Sequence, residues 1–292
     1  MSRRRELEQH RHRISEIREI LGAMKSLAFM ETRKLADLLD ARRSALAHLS
    51  AVAEDFFSFH SATLPAPGKT TPVYLLLGSE RGFCGDFNES LALAMEAELR
   101  KTAASPWLVA TGTKLNTHLP ADSPQIIRLG GAAMVEDTER TLVDIIDTLS
   151  GLQKQHGDIA LTIFHRDPER QEVRYSPVLP PFQSLHPPPS RFAHPPLLNL
   201  SPEKFCVELI DRYLLNTLYE AAYLSLMAEN QRRVTHLGGA EHQLDDKLAA
   251  LQRRANTLRQ EEITEEIEVI LLNSVNTDGR STNRRGRGRD PR

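Results

Sequence analysis

Along residues 3–59 apolar side chains recur at alternating steps of three and four. The positions are Leu7, His10, Ile14, Ile17, Leu21, Met24, Ala28, Glu31, Leu35, Leu38, Arg42, Ala45, Leu49, Val52 and Phe56. Twelve of these fifteen are apolar, and the stretch holds no proline and one glycine. A seven-residue repeat sustained over that length predicts a supercoiled helix with a partner along its seam. At about 1.5 Å per residue such a helix reaches roughly 85 Å, well beyond the helices of ordinary globular domains.

The partner is predicted at the other end of the chain, over residues 201–276. Ser201-Pro202-Glu203 reads as a helix start: a cap, a proline in the first turn and an acid at the positive end of the dipole. Val234, Leu237, Glu241, Leu244, Leu248, Leu251, Ala255 and Leu258 again step by three and four. The register then jumps to Ile263, Ile267 and Ile270, which reads as a stutter. Upstream, the run from Cys206 to Met227 is apolar on nearly every face, so it is expected to be covered from several sides.

Residues 72–180 follow a different rhythm. Short apolar runs at Val73–Leu77, Trp107–Thr111 and Ile159–Phe164 alternate with helical patterns at Phe87–Lys101 and Glu136–Gln155. That alternation predicts βαβ units and a small parallel sheet, with Glu172–Leu179 as an added edge strand. Asp86 and Glu89, three apart, suggest a capping box at the start of the first of these helices. Residues 181–200 form a proline-rich connector, and the arginine-rich end, 277–292, is expected to be disordered. The expected fold class is therefore α/β plus a long antiparallel coiled coil of the N- and C-terminal helices. A Rossmann-like, small, mostly parallel sheet domain is inserted between them.

Composition adds exclusions. The net charge of −2 rules out a polyelectrolyte. The two cysteines, Cys84 and Cys206, lack any framework spacing and suggest a reducing compartment. No run of 18 apolar residues is present, so no membrane-spanning helix is expected. Six arginines in the last fourteen residues, without interleaved aromatics, read as a solvated terminus rather than a nucleic-acid site.

Candidate chemistry gathers in Gly78–Asn88, G-S-E-R-G-F-C-G-D-F-N, at a strand-to-helix turn. A dinucleotide fingerprint is absent, since Gly78, Gly82 and Gly85 are four and three apart, and Glu80 and Asp86 would repel phosphate. Cys84 beside a helix start has nucleophile character, but no base stands at a recognisable spacing. Gly68-Lys69-Thr70 lacks the first glycine of a P-loop and leads into a strand. His10 with His12, and His242 with Asp246, do not make a metal set, so neither metal nor cofactor is expected. The pair Gly238-Gly239 in mid-helix costs about 2 kcal/mol of helix propensity. It fits either a close approach to the partner helix or a soft point in the rod.

Three segments resemble the gamma subunit of F-type ATP synthases, the central rotor shaft, over nearly the whole chain. S-E-R-G-F-C-G-D-F-N is similar to the family's S-D-R-G-L-C-G-G-L-N, and A-M-K-S-L-A-F-M-E-T-R-K-L to A-M-E-M-V-A-A-S-K-M-R-K. R-A-N-T-L-R-Q-E-E-I-T-E-E-I follows N-K-A-R-Q-A-S-I-T-Q-E-L. The resemblance implies a shaft inside a ring of three alpha and three beta subunits, with the sheet domain below, against epsilon and the membrane rotor ring. It implies a chain that transmits torque without catalysing anything, peripheral to the cytoplasmic face of a bacterial inner membrane. By the same resemblance Met24 faces beta-subunit lever loops. Ser79, Glu80, Arg81, Gly82, Cys84, Gly85, Asp86 and Asn88 belong to a contact loop for beta and epsilon, and Arg259, Gln260 and Thr264 engage a beta-subunit catch loop. Glu261 and Glu262 depart from the family's small residues, and the glycine pair has no counterpart in its pattern. On the residues alone two other readings stay open: a coiled-coil adaptor of another assembly, and a Rossmann-type nucleotide-binding enzyme.

Overall fold

The computed structural model describes residues 2–63, 68–101, 105–120, 125–182 and 194–282. Its main elements are α1 (Ser2–Phe59), β1 (Thr71–Leu77), α2 (Phe87–Leu99), β2 (Trp107–Thr111), β3 (Ile126–Leu129), α3 (Thr138–His156), β4 (Ile159–Arg166), β5 (Val173–Pro177) and α4 (Pro202–Thr282). Helix α4 therefore runs six residues past the expected end at 276 and takes in the first part of the tail that was expected to be disordered. The rest of that tail, 283–292, and residues 183–193 of the connector lie outside the described residues. The chain divides into two compact units, one of residues 1–23 with 238–292 and one of Met24–Leu237.

In the first unit the two ends of the chain run antiparallel. Arg4 meets Glu262 at 3.3 Å, Arg11 bonds Gln252, and Arg18 meets Asp245 at 2.6 Å, so one number falls as the other rises. Most of the predicted seam is covered: Ile14 is buried, and Leu7, Leu21, Leu244, Leu248, Leu251 and Leu258 are half-buried, whereas Ile17 is 50% exposed. The proposed stutter is not borne out. Ile263, Ile267 and Ile270 are 47%, 52% and 66% exposed. Arg4 already stands opposite Glu262, so no described turn of α1 remains to pair with residues further along α4. At Gly22 an added Cβ would lie 2.8 Å from Glu241 Oε1, the far end of a flexible side chain.

Gly239 behaves differently. An added Cβ there would meet nothing within 4 Å, so the expectation of a close backbone approach is corrected at this position. Gly239→Ala should therefore stabilise the chain by up to about 1 kcal/mol, because alanine loses less backbone entropy in a helix and strikes nothing. Urea unfolding of the two proteins measures this, and a destabilised alanine variant would show that the helix needs glycine there.

The second unit is built on a five-stranded sheet of order β3-β2-β1-β4-β5, parallel except for β5, which runs antiparallel to β4 along the edge. Strand β1 is central and covered on both faces, which is why V-Y-L-L-L reads as a continuous apolar run rather than an alternation. Val73, Leu75 and Leu77 face α3 (Leu142, Ile145, Leu149) and α4 (Leu218, Ala221). Tyr74 and Leu76 face α2 (Phe87, Leu91, Met95) on the opposite side. The C-terminal part of α1 packs on the start of α4, through Leu35 and Leu39 with Tyr223 and Leu226, and through Phe56 and Phe57 with Cys206 and Leu209. Coverage by the sheet domain on one side and α1 on another explains why Cys206–Met227 carries apolar residues on so many faces. Strand β3 was not foreseen: I-I-R-L is four residues long and interrupted by an exposed arginine.

Candidate functional site: the β1–α2 loop and its seat on α4

Strand β1 ends at the middle of the sheet, next to β4, where the strand order reverses direction. In doubly wound sheets this is the crevice that ligands occupy. Here the turn that follows β1 is filled from within. Glu80 turns inward, accepting hydrogen bonds from the backbone N–H of Gly131 at 2.8 Å and of Thr113 at 3.0 Å, while the Thr113 hydroxyl donates to its other oxygen at 3.2 Å. Amides at the ends of β2 and β3 that would serve a bound anion thus hold the chain's own carboxylate.

Three of the residues expected at a contact surface are instead the brace beneath it. Ser79, Cys84 and Asn88 are buried. Asn88 accepts from the Ser79 N–H at 2.9 Å and donates to the Ser79 hydroxyl at 2.8 Å, and that hydroxyl lies 3.3 Å from the Cys84 sulfur. Burial is the main cause that pushes the Cys84 thiol above its ordinary pKa. A buried, protonated thiol is a poor nucleophile, which agrees with reading this cysteine as a non-catalyst. Arg81, Gly85 and Asp86 are exposed, and Gly82 is half-exposed.

Asp86 does not form the expected capping box, since its side chain makes no cap hydrogen bond. Its carboxylate is drawn to two arginines instead, Arg232 of α4 at 3.2 Å and Arg166 at the end of β4 at 3.6 Å. Arg166 is buried and donates to Ser90 Oγ at 2.6 Å and to the Gln171 carbonyl at 2.9 Å.

The seat of the loop is one turn of α4 that the sequence reading missed. The buried Arg233 donates to the Gly82 carbonyl at 3.1 Å, to the Arg81 carbonyl at 3.5 Å and to Asn230 at 2.7 Å, and it pairs with the buried Glu229. One turn earlier, Ser225 donates to the Leu77 carbonyl at 2.8 Å. Burial pushes the Glu229 carboxyl up to about 7, against the opposing pull of Arg233. A signal was available in the sequence: Glu229 and Arg233 stand four apart at the end of an apolar stretch, the spacing of a helical ion pair.

The other expected contact residues lie elsewhere. Met24 is half-buried on α1, in the same unit as the loop. Arg259, Gln260 and Thr264 are exposed on α4 in the other unit, where the Thr264 hydroxyl donates to the Gln260 carbonyl at 2.9 Å. Among the described residues no cluster of three metal-ligating side chains occurs.

A family model described as ATP synthase matches residues 3–272. The chain belongs to the ATP synthase gamma family. An ATP synthase gamma chain of Clostridium botulinum (strain 657 / Type Ba4) is 23% identical over 268 residues, covering 88% of this chain and 92% of that one. Its counterpart in Desulforamulus reducens is 24% identical over 281 residues, covering 93% and 98%. Two solved structures share the fold. The rotor of the Euglena gracilis mitochondrial ATP synthase superposes with a TM-score of 0.56 at 14% identity over 90% of this chain and 99% of that one. The central stalk and c-ring structure from Tetrahymena thermophila matches with a TM-score of 0.55 at 15% identity, over 76% and 99%. The loop after β1 is packed shut by Glu80 from within and by Arg233 of α4 from outside. The fold's usual ligand crevice has become a joint between sheet and helix.

Proposed function

We propose that this chain is the central-stalk rotor shaft of an F-type ATP synthase, carrying torque between an ion-driven membrane ring and a catalytic alpha–beta hexamer. The observation that carries the reading is the antiparallel pairing of the two ends of the chain, Arg4 with Glu262 and Arg18 with Asp245, in a member of this family. A shaft requires stiffness along its axis, and a paired seam of half-buried leucines supplies it. The chain itself is non-catalytic: the loop that could have held a nucleotide is filled by Glu80 and gripped by Arg233. Its partners are three alpha and three beta subunits per copy, epsilon and the membrane ring, at the cytoplasmic face of a bacterial inner membrane. No helix among the described residues is long and apolar enough to cross that membrane.

Within this reading Arg81, Gly82, Gly85 and Asp86 touch beta or epsilon at the base of the shaft, and Ser79, Glu80, Cys84 and Asn88 hold that surface in place. Met24 meets the beta lever loops, and Arg259, Gln260 and Thr264 meet the catch loop. Gly238 and Gly239 form a torsionally soft point, so alanine at both should raise the stiffness measured on single rotating molecules. Purification of a tagged full-length chain with its partners tests the whole reading. One copy per three alpha and three beta subunits is expected, with ATP-driven rotation of a bead fixed to the chain. Labelled ATP or NAD should not bind the chain alone. Any other stoichiometry, or nucleotide bound by the isolated chain, would overturn it.

A further inference from the structure

Thr138, the first residue of α3, is 1% exposed, and its hydroxyl has no hydrogen-bond partner among the described residues. A buried hydroxyl left unpaired carries its full desolvation cost, so such a group in a folded chain calls for a partner. The side chain lines a cavity of about 30 Å³ where the ends of β1 and β2 meet α3 and α4, all within the Met24–Leu237 unit. A water molecule needs roughly 10–15 Å³ of such space, so the cavity takes one or two waters and nothing larger. Ile145, Ala222 and Leu226 form its apolar wall.

The polar wall has mostly lone pairs left to offer. Thr111 donates its hydroxyl proton to the Leu76 carbonyl at 3.2 Å, Ser225 to the Leu77 carbonyl at 2.8 Å and Thr141 to the Asp137 carbonyl at 3.1 Å. A hydroxyl carries one proton, so these three can only accept from anything else. Glu229 lines the same cavity, with one carboxyl oxygen engaged by Arg233 and the other left as an acceptor. Of the four hydroxyls only that of Thr138 still has its proton to give. An occupant must therefore accept from Thr138 and donate to the others. An ammonium or alkali-metal ion would suit the lone pairs, but it would add a second positive charge next to the Glu229–Arg233 pair and leave the Thr138 proton unbonded. Water has two protons and two lone pairs, and meets both demands.

We propose that this cavity is a binding site for a buried water molecule, which accepts from the Thr138 hydroxyl and donates to the Glu229 carboxyl and the Ser225 hydroxyl. One solvent molecule then ties the first turn of α3 to the turn of α4 that seats the loop after β1. It serves Glu229 in either state, because a neutral carboxyl donates to the water and an ionised one accepts from it. The site stands apart from the rotor reading, and its failure would leave that reading untouched.

The test uses the full-length chain and starts from Thr138→Val, which keeps the shape of the side chain and removes the hydroxyl. The variant loses an anchored bridge, so its unfolding equilibrium in urea should shift about tenfold toward the unfolded state. Thr138→Ser, which keeps the hydroxyl, should recover most of that loss. The NMR titration of the Glu229 carboxyl carbon gives a second readout. Its ionised form loses a donor in Thr138→Val, so the midpoint should rise by roughly half a pH unit or more, and should stay near wild type in Thr138→Ser. The other charged groups that act on this carboxyl are Arg233 on its own helix and Arg81 and Glu80 in the loop after β1, and none of them is altered in either variant. In the wild-type chain a long-lived water should show a nuclear Overhauser contact to the Thr138 methyl group. A valine variant at least as stable as wild type means that the hydroxyl had no partner to lose, and it overturns the site. An unmoved midpoint, or a Thr138 methyl without a water contact, does the same. A serine variant as weak as the valine one assigns the loss to packing and also overturns it. Stability that changes between sodium, potassium and ammonium salts at equal ionic strength would give the cavity to a cation and exclude water as its ligand.

Discussion

Arg233→Ala is expected to destabilise the chain by about 3–5 kcal/mol, the usual loss when one member of a buried ion pair is removed. The substitution strips two loop carbonyls, Asn230 and Glu229 of their donor at once. Glu229 is 2% exposed, so water does not replace the lost partner. The carboxyl can escape only by taking up a proton, which makes the loss larger at pH 8 than at pH 6. Removing both charges tells a pairing effect from a packing effect. A Glu229→Leu, Arg233→Leu double variant should recover part of the loss, because a well-packed apolar pair avoids the desolvation of two ions. Urea denaturation at fixed pH measures all three proteins. A single-variant loss below about 1 kcal/mol would show that the α4 turn does not seat the loop.

The second large effect is on pH dependence. Burial places the Glu229 carboxyl near 7 in the folded chain, against an ordinary value of 4.5. Between those values the native state holds a proton that the unfolded chain has released, so stability falls as pH rises. The contribution is fully present below about pH 4.5 and is lost as pH passes through about 7. For a shift of this size the loss is about 3 kcal/mol. Glu229→Gln keeps the shape of the side chain and removes the titration, so its stability should decline less than wild type from pH 5 to pH 8. The comparison must be made as a difference, because buried His165 also titrates in this range. Burial is the main cause that lowers its pKa, which gives it the opposite slope, common to both proteins. Parallel stability curves for wild type and variant would rule out Glu229 as the titrating group.

The two predictions share one physical cause. A charged pair enclosed between a helix and a loop is a joint whose strength depends on both partners and on protonation. Such a joint costs desolvation that an apolar contact would avoid, but it fixes orientation, because Arg233 reaches two successive carbonyls in one geometry.

Much of the architecture was legible from spacing alone. The three-four step from Leu7 to Phe56 and from Val234 to Leu258 specified two helices and most of the face each covers, Ile17 and Val52 being the apolar members left exposed. The unbroken run V-Y-L-L-L announced a strand covered on both faces, and its position at the centre of the sheet agrees. Spacing failed where the partner ran out. Ile263, Ile267 and Ile270 keep a helical period, yet they are exposed, because period says which residues share a face and nothing about what lies opposite. It failed again at Asp86, whose carboxylate had a local use as a helix cap and took a non-local one with Arg166 and Arg232.

The loop Gly78–Asn88 shows the same division. Its glycines, cysteine and charges marked a special turn, and residue type alone did not tell the buried brace of Ser79, Cys84 and Asn88 from the displayed tip of Arg81, Phe83 and Asp86. By itself the sequence determined two long seam-forming helices, a parallel α/β module between them and the absence of a dinucleotide fingerprint, because these follow from periodicity and short-range geometry. Only the tertiary structure decided that α4 closes the crevice, that Arg233 and Glu229 form the seat, and that Phe83 is the residue held outward. Each of those depends on groups far apart in the chain meeting at one point, and local pattern carries no information about which distant side chain will arrive there.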